Sequence, residues 1–263
     1  MNEPHLLQYD LGEGVIAFST TRRQGYGEGK YGAFNLNEWC GDSAQHVQGN
    51  REALCHSLHI PSSHLLMPHQ VHGTEVRVVG QQLVQASETS RRQMLEGVDA
   101  LVTDIPNCCI GVSTADCIPV LLYDAGHAAV AAVHAGWRGT AQHIVAHTLQ
   151  VMRQTYGTSP DKVHAVIGPG ISLGAFEVGD EVYDCFTAAF PRHPEVCVRY
   201  DKWHIDLWLC NRLDLEDMGV PAPHIHVAGI CTYNNTDEFF SARRLGVSSG
   251  RIYSGIMLHK LKI

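Results

Sequence analysis

The chain has 263 residues, of which 44% are hydrophobic and 17% charged, so its composition is that of a globular protein and excludes a disordered one. A formal net charge of −8 argues against a broad basic surface for nucleic acid or anionic membranes, and no apolar stretch approaches the roughly 20 residues of a membrane span. We therefore expect small-molecule partners, with neither nucleic acid nor membrane among them.

No Pro/Ser-rich linker, charge block or short repeat divides the sequence, so we predict one domain over residues 1–263. The pattern of apolar residues predicts that strands and helices are mixed in it. In its first part we expect a strand at Val15–Ser19, followed by a polar glycine-rich loop at Arg22–Gly32. A helix is expected at residues 43–58, with Ser43 as its N-cap. A second strand at Thr74–Val79 and a weakly patterned segment at residues 81–97 follow.

The middle of the chain is its most apolar part. Continuous apolar runs separated by turn residues predict short strands that are buried on both faces. Four such runs occur, at Ala100–Thr103, Ile110–Ser113, Pro119–Tyr123 and Ala128–Val133.

The last part is predicted to contain a helix at Thr140–Tyr156, a strand at Val163–Ile167, helices near residues 179–190 and 206–218, and strands at residues 225–230 and 251–258. Several strands follow one another without helices between them. The predicted fold class is therefore α+β, a layered α/β sandwich with mixed β-sheets.

The nine cysteines do not form the pattern of a disulfide framework, because their number is odd and no two are spaced as CxxC. The segment Met1–Pro4 lacks the basic start and hydrophobic run of a secretory signal. We therefore expect a cytoplasmic protein with reduced thiols. Arginine outnumbers lysine by 14 to 5, which favours a small anionic substrate because the guanidinium group binds carboxylate or phosphate in a bidentate manner.

Three segments at predicted strand ends concentrate metal-binding residue types: residues 68–73, 114–117 and 133–140. They contain His72, Cys117 and His134. One thiolate and two imidazoles form a good Zn²⁺ set, and three protein ligands leave a fourth position for water or substrate. Spacing alone does not establish that the three side chains converge, and packed or solvated residues remain the alternative.

The turn at residues 136–140 leads into a predicted helix, whose first N–H groups form an anion site that Arg138 could strengthen. The alternative is a tight turn with Trp137 as core filler. Other candidates are weaker. The pair His143 and His147 lacks the glutamate of an HExxH motif, the HxH pair at residues 224–226 is typical of a surface strand, and Arg243–Arg244 is either a phosphate contact or a solvated pair.

Five blocks of the sequence resemble the YfiH family, which is also called the laccase-domain or multicopper polyphenol oxidase family and is now often labelled purine nucleoside phosphorylase. They follow the family's order over nearly the whole chain, and HAGWRG together with ADC is the most specific part. The blocks are residues 19–22 with 35–36 and 40–42, HQVHG at 69–73, ADC at 115–117, HAGWRG at 134–139, and Cys231–Thr232 with 239–241 and 243–244.

The resemblance implies zinc ligation by the last histidine of HQVHG, the cysteine of ADC and the histidine of HAGWRG, which are His72, Cys117 and His134. It also implies a layered α/β sandwich resembling the cysteine-hydrolase-like fold. The implied activity is phosphorolysis of adenosine, inosine and methylthioadenosine, together with adenosine deamination. Bacterial relatives have also been linked to editing of peptidoglycan precursors.

The chain departs from the family pattern in three places. Arg23-Gln24-Gly25 stands where the family usually has Gly-Gly after an arginine, Ala242 stands where an aromatic residue often precedes the paired arginines, and residues 168–172 differ from the usual GPAIG. None of these changes removes a ligand. The first two concern substrate preference rather than chemistry.

The leading hypothesis is therefore a zinc-dependent nucleoside enzyme acting on a nucleoside and phosphate. For deamination, zinc would activate a water molecule, and Asp116 is the candidate acid because it adjoins a ligand. For phosphorolysis, the candidate phosphate-binding residues are Arg22, Arg138 and the helix start at Gly139. Gln70, within HQVHG, is a further candidate for substrate binding.

Three alternatives remain open. A copper polyphenol oxidase, with Cu²⁺ in place of Zn²⁺, accords with the older family name, but the chain has one HxH pair where a multicopper cluster needs several. A cysteine hydrolase would use Cys117 as nucleophile and His134 as base. The last alternative is a metal-binding module without catalytic activity.

Overall fold

The computed structural model describes residues 3–259. Helices occupy eight segments of that range: α1 Ala44–Leu58, α2 Gln81–Val84, α3 Glu88–Met94, α4 Trp137–Ala141, α5 Ile144–Tyr156, α6 Asp180–Ala189, α7 Leu207–Asp217 and α8 Ala242–Leu245.

Strands occupy fourteen segments of the same range. They are β1 Leu6–Tyr9, β2 Val15–Thr20, β3 Leu65–Leu66, β4 Val76–Val78, β5 Ala100–Thr103, β6 Cys109–Thr114, β7 Ile118–Asp124, β8 Ala129–Ala135, β9 Val163–Ile167, β10 Glu177–Val178, β11 Cys197–Arg199, β12 Trp203–Ile205, β13 Ile225–Val227 and β14 Ile252–Leu258.

The strands form three sheets with both parallel and antiparallel pairs. The largest has six strands in the order β13-β9-β7-β8-β5-β4, the second has five in the order β1-β2-β14-β6-β3, and a small one has three in the order β10-β12-β11. The pairs β13/β9, β4/β5 and β3/β6 are parallel, and all the other strand pairs in the two large sheets are antiparallel. The predicted α+β class with mixed sheets is confirmed.

The two large sheets pack against each other, and helices cover their outer faces. Val120 of the six-stranded sheet packs in a cluster with Leu149 of α5, whereas its neighbour Leu121 packs in a cluster with Ile256 of the five-stranded sheet. Leu54 of α1 covers the far side of the five-stranded sheet. The six-stranded sheet is thus buried on both faces, as its continuous apolar runs predict.

One edge of the six-stranded sheet collects several chain ends. Ile118 at the start of β7 lies opposite Ala135 at the end of β8, and Ala100 at the start of β5 lies opposite Val133. Val76 of β4 runs parallel beside Ala100. The residues just before β4, β5 and β7 therefore meet the last residues of β8 at one place.

The predicted helix Thr140–Tyr156 is wrong in one respect, because it is two helices. Helix α4 begins earlier, at Trp137, and His143 then adopts a left-handed conformation with a φ of 57° before α5 begins. His143 is held there by a 2.7 Å hydrogen bond between its Nδ1 and Oδ1 of Asp214 in α7. This partner is far away in sequence, so periodicity gives no sign of the break.

Other boundaries also differ from expectation. Ser43 precedes α1 but makes no capping hydrogen bond with its hydroxyl, and the weak segment at residues 81–97 contains two short helices. Among residues 3–259, no helix combines the length and apolar character needed to cross a membrane. The predicted domain bounds, 1–263, extend past the described residues and stay a prediction.

Candidate metal centre

Three potential ligands converge at the edge where β4, β5, β7 and β8 meet. One ligand atom each from His72, Cys117 and His134 lies within 4.8 Å of the others. Within the described part of the chain this is the one such group of three His, Cys, Asp or Glu side chains. His134 is buried, Cys117 is half-buried and His72 is exposed, so the group opens towards solvent on the His72 side.

The backbone around the ligands is shaped to bring them close. His72 has a left-handed φ of 63° and Asp116, just before Cys117, has a φ of 83°. At Gly136, a Cβ atom would come within 2.9 Å of Cδ2 of His72 and 3.3 Å of Sγ of Cys117. A glycine is therefore required where the chain leaves β8.

Asp99 organises the centre, although it is not one of the three ligands. Its side chain is fully buried, and its Oδ1 accepts a 2.7 Å hydrogen bond from Nδ1 of His134. The same carboxylate accepts hydrogen bonds from the backbone N–H groups of Val71, His72 and Gly73, at 3.2, 3.0 and 2.7 Å. One carboxylate thus orients one ligand ring and holds the left-handed loop that carries another ligand.

The hydrogen bond to Asp99 fixes which ring nitrogen of His134 is free. Because Nδ1 donates to the carboxylate, Nε2 faces the centre, and metal-bound histidines in proteins are oriented by such a partner. Burial acts to raise the pKa of Asp99, but the hydrogen bonds and charge of His134 outweigh it and lower that pKa. Asp99 is therefore a carboxylate that accepts hydrogen bonds and donates none.

The thiol and the buried imidazole shift each other's protonation. Burial acts to raise the pKa of Cys117, but His134 and His72 overcome it and lower this pKa to about 6. Burial likewise acts to lower the pKa of His134, whereas Cys117 and Asp99 raise it to about 9. Between these values the metal-free pair is a thiolate beside an imidazolium, and metal binding must release the proton from His134.

This donor set fits a zinc ion. Thiolate and imidazole are the ligands that zinc prefers, and a three-ligand set with one open direction is typical of catalytic rather than structural sites. His134 has the buried carboxylate partner that such ligands need.

The centre lies in a cavity of about 680 Å³. Besides the ligands, its walls are formed by residues from five parts of the chain: Asn37, Trp39, Cys40, His69, Gln70, residues 113–116, Ile171, Phe176, Ala242, Arg243, residues 246–247 and Arg251. Two arginines and an aromatic wall beside a metal centre suit a small ligand that carries both a ring and an anionic group.

Asp116, predicted as the acid, lines the cavity with both carboxylate oxygens engaged. Oδ1 accepts a 2.7 Å hydrogen bond from Oγ1 of Thr232, and Oδ2 accepts one of 2.7 Å from the backbone N–H of Arg243. Asp116 therefore fixes helix α8 against the centre. Its role as an acid stays a prediction.

Gln70 also lines the cavity, but its amide is tied to strand β6. Its Nε2 donates to the Ser113 carbonyl at 2.8 Å and its Oε1 accepts from the Ser113 N–H at 2.7 Å. The structure therefore places Gln70 as a positioning residue for the His72 loop. Substrate binding by its side chain stays a prediction.

The three predicted phosphate-binding positions lie outside the residues that line the cavity. Arg22 donates to the carbonyls of Gly32 and Thr236, both at 2.7 Å. Arg138 is exposed, with its guanidinium 4.2 Å from the Trp137 ring centre. Gly139 is buried in the first turn of α4, which begins two residues earlier, at Trp137. Phosphate binding at these three positions stays a prediction.

Arg243 and Arg251 occupy the cavity wall instead. The structure separates the members of the Arg243–Arg244 pair, because Arg244 donates to the hydroxyl of Tyr233. Both terminal nitrogens of Arg243 contact the Glu177 carbonyl at 3.3 Å, a long distance that leaves its other donors free.

Sequence reasoning missed Asp99, Trp39 and Arg251. For Asp99 a signal exists, since it is a single acidic residue at the start of the apolar run at residues 98–103, where an unpaired charge would be costly. Trp39 and Arg251 carry no comparable signal, because both positions depend on how loops pack across the cavity.

The sequence and the fold are similar to those of known proteins. Residues 16–259 match the model of a family described as multi-copper polyphenol oxidoreductase laccase. A purine nucleoside phosphorylase of Bacteroides thetaiotaomicron is 48% identical over 249 residues, which cover 94% of this chain and 92% of that protein. The chain belongs to the YfiH, or laccase-domain, family.

Other members of the YfiH family agree. Adenosine deaminase RL5, from an unknown prokaryotic organism, is 41% identical over 247 residues, covering 93% of this chain and 94% of that protein. The crystal structure of the Bacillus licheniformis hypothetical protein YfiH matches with a TM-score of 0.87 and 31% identity, covering 93% of this chain and 92% of that one. The predicted resemblance to the YfiH family is confirmed.

The protonation state of Cys117 gives the first prediction. We expect alkylation of Cys117 by iodoacetamide in metal-free protein to be half-maximal near pH 6, because the thiolate is the reactive form and His134 and His72 stabilise it. Mass spectrometry of the labelled peptide measures the rate. The exposed Cys185 is replaced by serine to remove a competing thiol. His134→Ala should move the midpoint upward, and a wild-type midpoint in the ordinary thiol range, near about 8.5, would contradict the assignment.

The close approach at Gly136 gives the second prediction. Gly136→Ala should weaken zinc binding by about 10- to 100-fold, the usual loss when the support of metal ligands is disturbed. The Cβ atom of the new alanine would clash with the side chains of His72 and Cys117. Competition with a chromophoric chelator measures the affinity. Gly174→Ala is the matched control, since its Cβ would meet no atom within 4 Å, and equal zinc affinity in both variants would refute the close fit.

Proposed function

We propose that this protein is a zinc-dependent purine nucleoside phosphorylase for adenosine, inosine and methylthioadenosine that also deaminates adenosine. The observation that carries the proposal is the convergence of His72, Cys117 and His134 at a cavity lined by two arginines. The relatives named purine nucleoside phosphorylase and adenosine deaminase support an enzyme of purine metabolism.

The metal and its ligands have distinct roles in this proposal. A zinc ion held by the three side chains would supply a Lewis acid with one open position. The chain itself orients the ligands, because Asp99 sets the ring of His134 and the loop of His72, and His72 lines the cavity.

Phosphate would bind beside the centre through Arg243. Phosphorolysis joins a phosphate oxygen to the anomeric carbon of ribose, breaks the bond from that carbon to the base, and gives ribose 1-phosphate and a protonated base. Arg243 lines the cavity, and its guanidinium makes only long contacts, to the Glu177 carbonyl. Its N–H donors can therefore bind the phosphate and neutralise its charge. Arg251 has its terminal nitrogens on loop carbonyls, and it adds positive charge to the same wall.

Asp116 would handle the proton. Each of its carboxylate oxygens accepts one hydrogen bond and retains another acceptor position. The side chain lines the cavity next to Cys117, where it can take a proton from the attacking water or phosphate and return one to the departing amine or base.

A cysteine hydrolase that edits peptidoglycan precursors is the second candidate. The depressed pKa of Cys117 and its contact with His134 favour it, because a thiolate beside an imidazolium is an activated nucleophile. The nucleoside enzyme and the hydrolase would use the same two residues, Cys117 and His134. The two candidate functions differ because the hydrolase works without metal.

A copper polyphenol oxidase and a non-catalytic metal-binding module are less well supported. The family's description as a multi-copper oxidoreductase points to copper, but the described residues bring together one group of three potential ligands, and a multicopper cluster needs more. The open side of that group argues against a purely structural metal site. We also propose that the enzyme works in the cytoplasm, where its nine free cysteines stay reduced.

Chromatography of the products formed from adenosine by zinc-loaded protein tests the proposal. With phosphate present we expect adenine and ribose 1-phosphate, and a second product, inosine, that also forms without phosphate. His134→Ala should abolish both the phosphorolysis and the deamination of adenosine. His127→Ala is the matched control, because His127 has a similar Nδ1 contact with a buried aspartate, Asp124, at a distance from the centre.

Four results would contradict the proposal. Untouched adenosine and inosine would rule out nucleoside chemistry. Turnover by metal-free protein that alkylation abolishes would favour the hydrolase, and phenol oxidation with copper retained after dialysis would favour the oxidase. A His134→Ala protein with every activity intact would support the non-catalytic module.

A further inference from the structure

Trp39 is a large aromatic side chain left open at the wall of the metal cavity. It is 38% exposed, whereas most large apolar side chains among the described residues are buried. Phe176 lines the same cavity, but it is only 9% exposed and the Arg243 guanidinium lies 5.6 Å from its ring centre. Trp39 is thus the lining aromatic residue with a broad surface free.

The backbone of Trp39 is anchored to the same network that holds the metal loop. Its N–H donates to Oδ1 of Asn37 at 2.8 Å, and Nδ2 of Asn37 donates to Oγ of Ser113 at 2.7 Å. Ser113 is in turn bound by Gln70, two residues before His72. Trp39 is therefore set at a fixed place relative to the centre and does not sit on a loose loop.

The indole ring is also supported from one side. It stacks on the imidazole of His69, with ring centres 4.7 Å apart and planes inclined by 22°. Nδ1 of His69 is held by Oε1 of Glu96 at 2.7 Å. Since one face is covered by His69, the exposed surface of Trp39 includes the opposite face.

The metal cavity, with a volume of about 680 Å³, has room for a flat ligand. Ala242 and Trp39 both line the cavity, and an alanine leaves room that a larger residue would fill. Trp39 and His69 also line a second cavity of about 460 Å³. The stacked pair therefore borders both cavities.

We propose that Trp39 binds the purine base of the substrate by stacking, and so makes the site prefer two-ring bases over one-ring bases. This inference rests on the proposed function. Stacking on an aromatic side chain accepts any base, and its strength grows with the stacked area. A preformed platform loses little conformational entropy on binding.

The reverse reaction separates the base from the sugar phosphate. Hypoxanthine and ribose 1-phosphate combine to give inosine and phosphate, with the base losing its proton as the bond from carbon to nitrogen forms. In Trp39→Ala we expect the KM for hypoxanthine to rise about tenfold, in keeping with measured losses on removing a stacking residue. The KM for ribose 1-phosphate and the kcat should stay within about twofold.

Two further variants complete the design. Trp39→Phe should restore most of the affinity for hypoxanthine, because it retains a ring. Tyr200→Ala is the matched control, since Tyr200 is an aromatic residue 59% exposed that lines neither cavity, and it should leave both KM values unchanged. The zinc content of every variant is measured, so that damage to the centre is recognised.

The outcomes are distinct. An unchanged KM for hypoxanthine in Trp39→Ala, or an equal rise for both substrates, overturns the stacking role while the proposed function stands. If the wild-type protein catalyses neither direction, the proposed function fails. In that case equilibrium dialysis with adenosine tests the stacking role. If the wild type and Trp39→Ala retain equal amounts of adenosine, or if neither retains any, the stacking role is overturned.

Discussion

The buried carboxylate of Asp99 is the interaction on which the rest of the centre depends. A charge at the start of a buried strand is tolerated only if its oxygens are fully used, and here they accept hydrogen bonds from three consecutive backbone N–H groups and from Nδ1 of His134. The same bonds hold His72 in a left-handed conformation. One desolvated charge thus sets the positions of two of the three potential ligands.

The layered fold explains why the third ligand joins them. Antiparallel pairing of β7 with β8 and of β8 with β5 brings the residue before β7, the end of β8 and the residue before β5 to one edge of the sheet. Cys117, His134 and Asp99 occupy those places. Because both faces of this sheet are buried between the other sheet and the helices, the edge is held rigidly, as a site with fixed ligand geometry requires.

Much of the fold and of the candidate site could be predicted from the sequence. The features that could not be predicted depend on contacts between residues far apart in the chain. Apolar runs predict the central strands, and the motifs around His72, Cys117 and His134 predict the ligands. The break at His143 depends on Asp214, 71 residues away, and the engagement of Arg22 depends on carbonyls of Gly32 and Thr236. Such long-range pairings leave no periodic pattern in the sequence, which therefore carries no sign that the Arg22 guanidinium is engaged by distant carbonyls.

The zinc affinity of Asp99→Asn tests the central claim most directly. An asparagine amide cannot accept from all of these N–H groups, so we expect affinity to fall by about 10- to 100-fold, as for other residues that orient metal ligands. Asp124→Asn is the control, because Asp124 is equally buried, accepts from two backbone N–H groups and the Nδ1 of His127, and lies at the opposite end of β7. A selective loss in Asp99→Asn, with both variants folded by circular dichroism, supports the account. Equal zinc affinity in the two variants would contradict it.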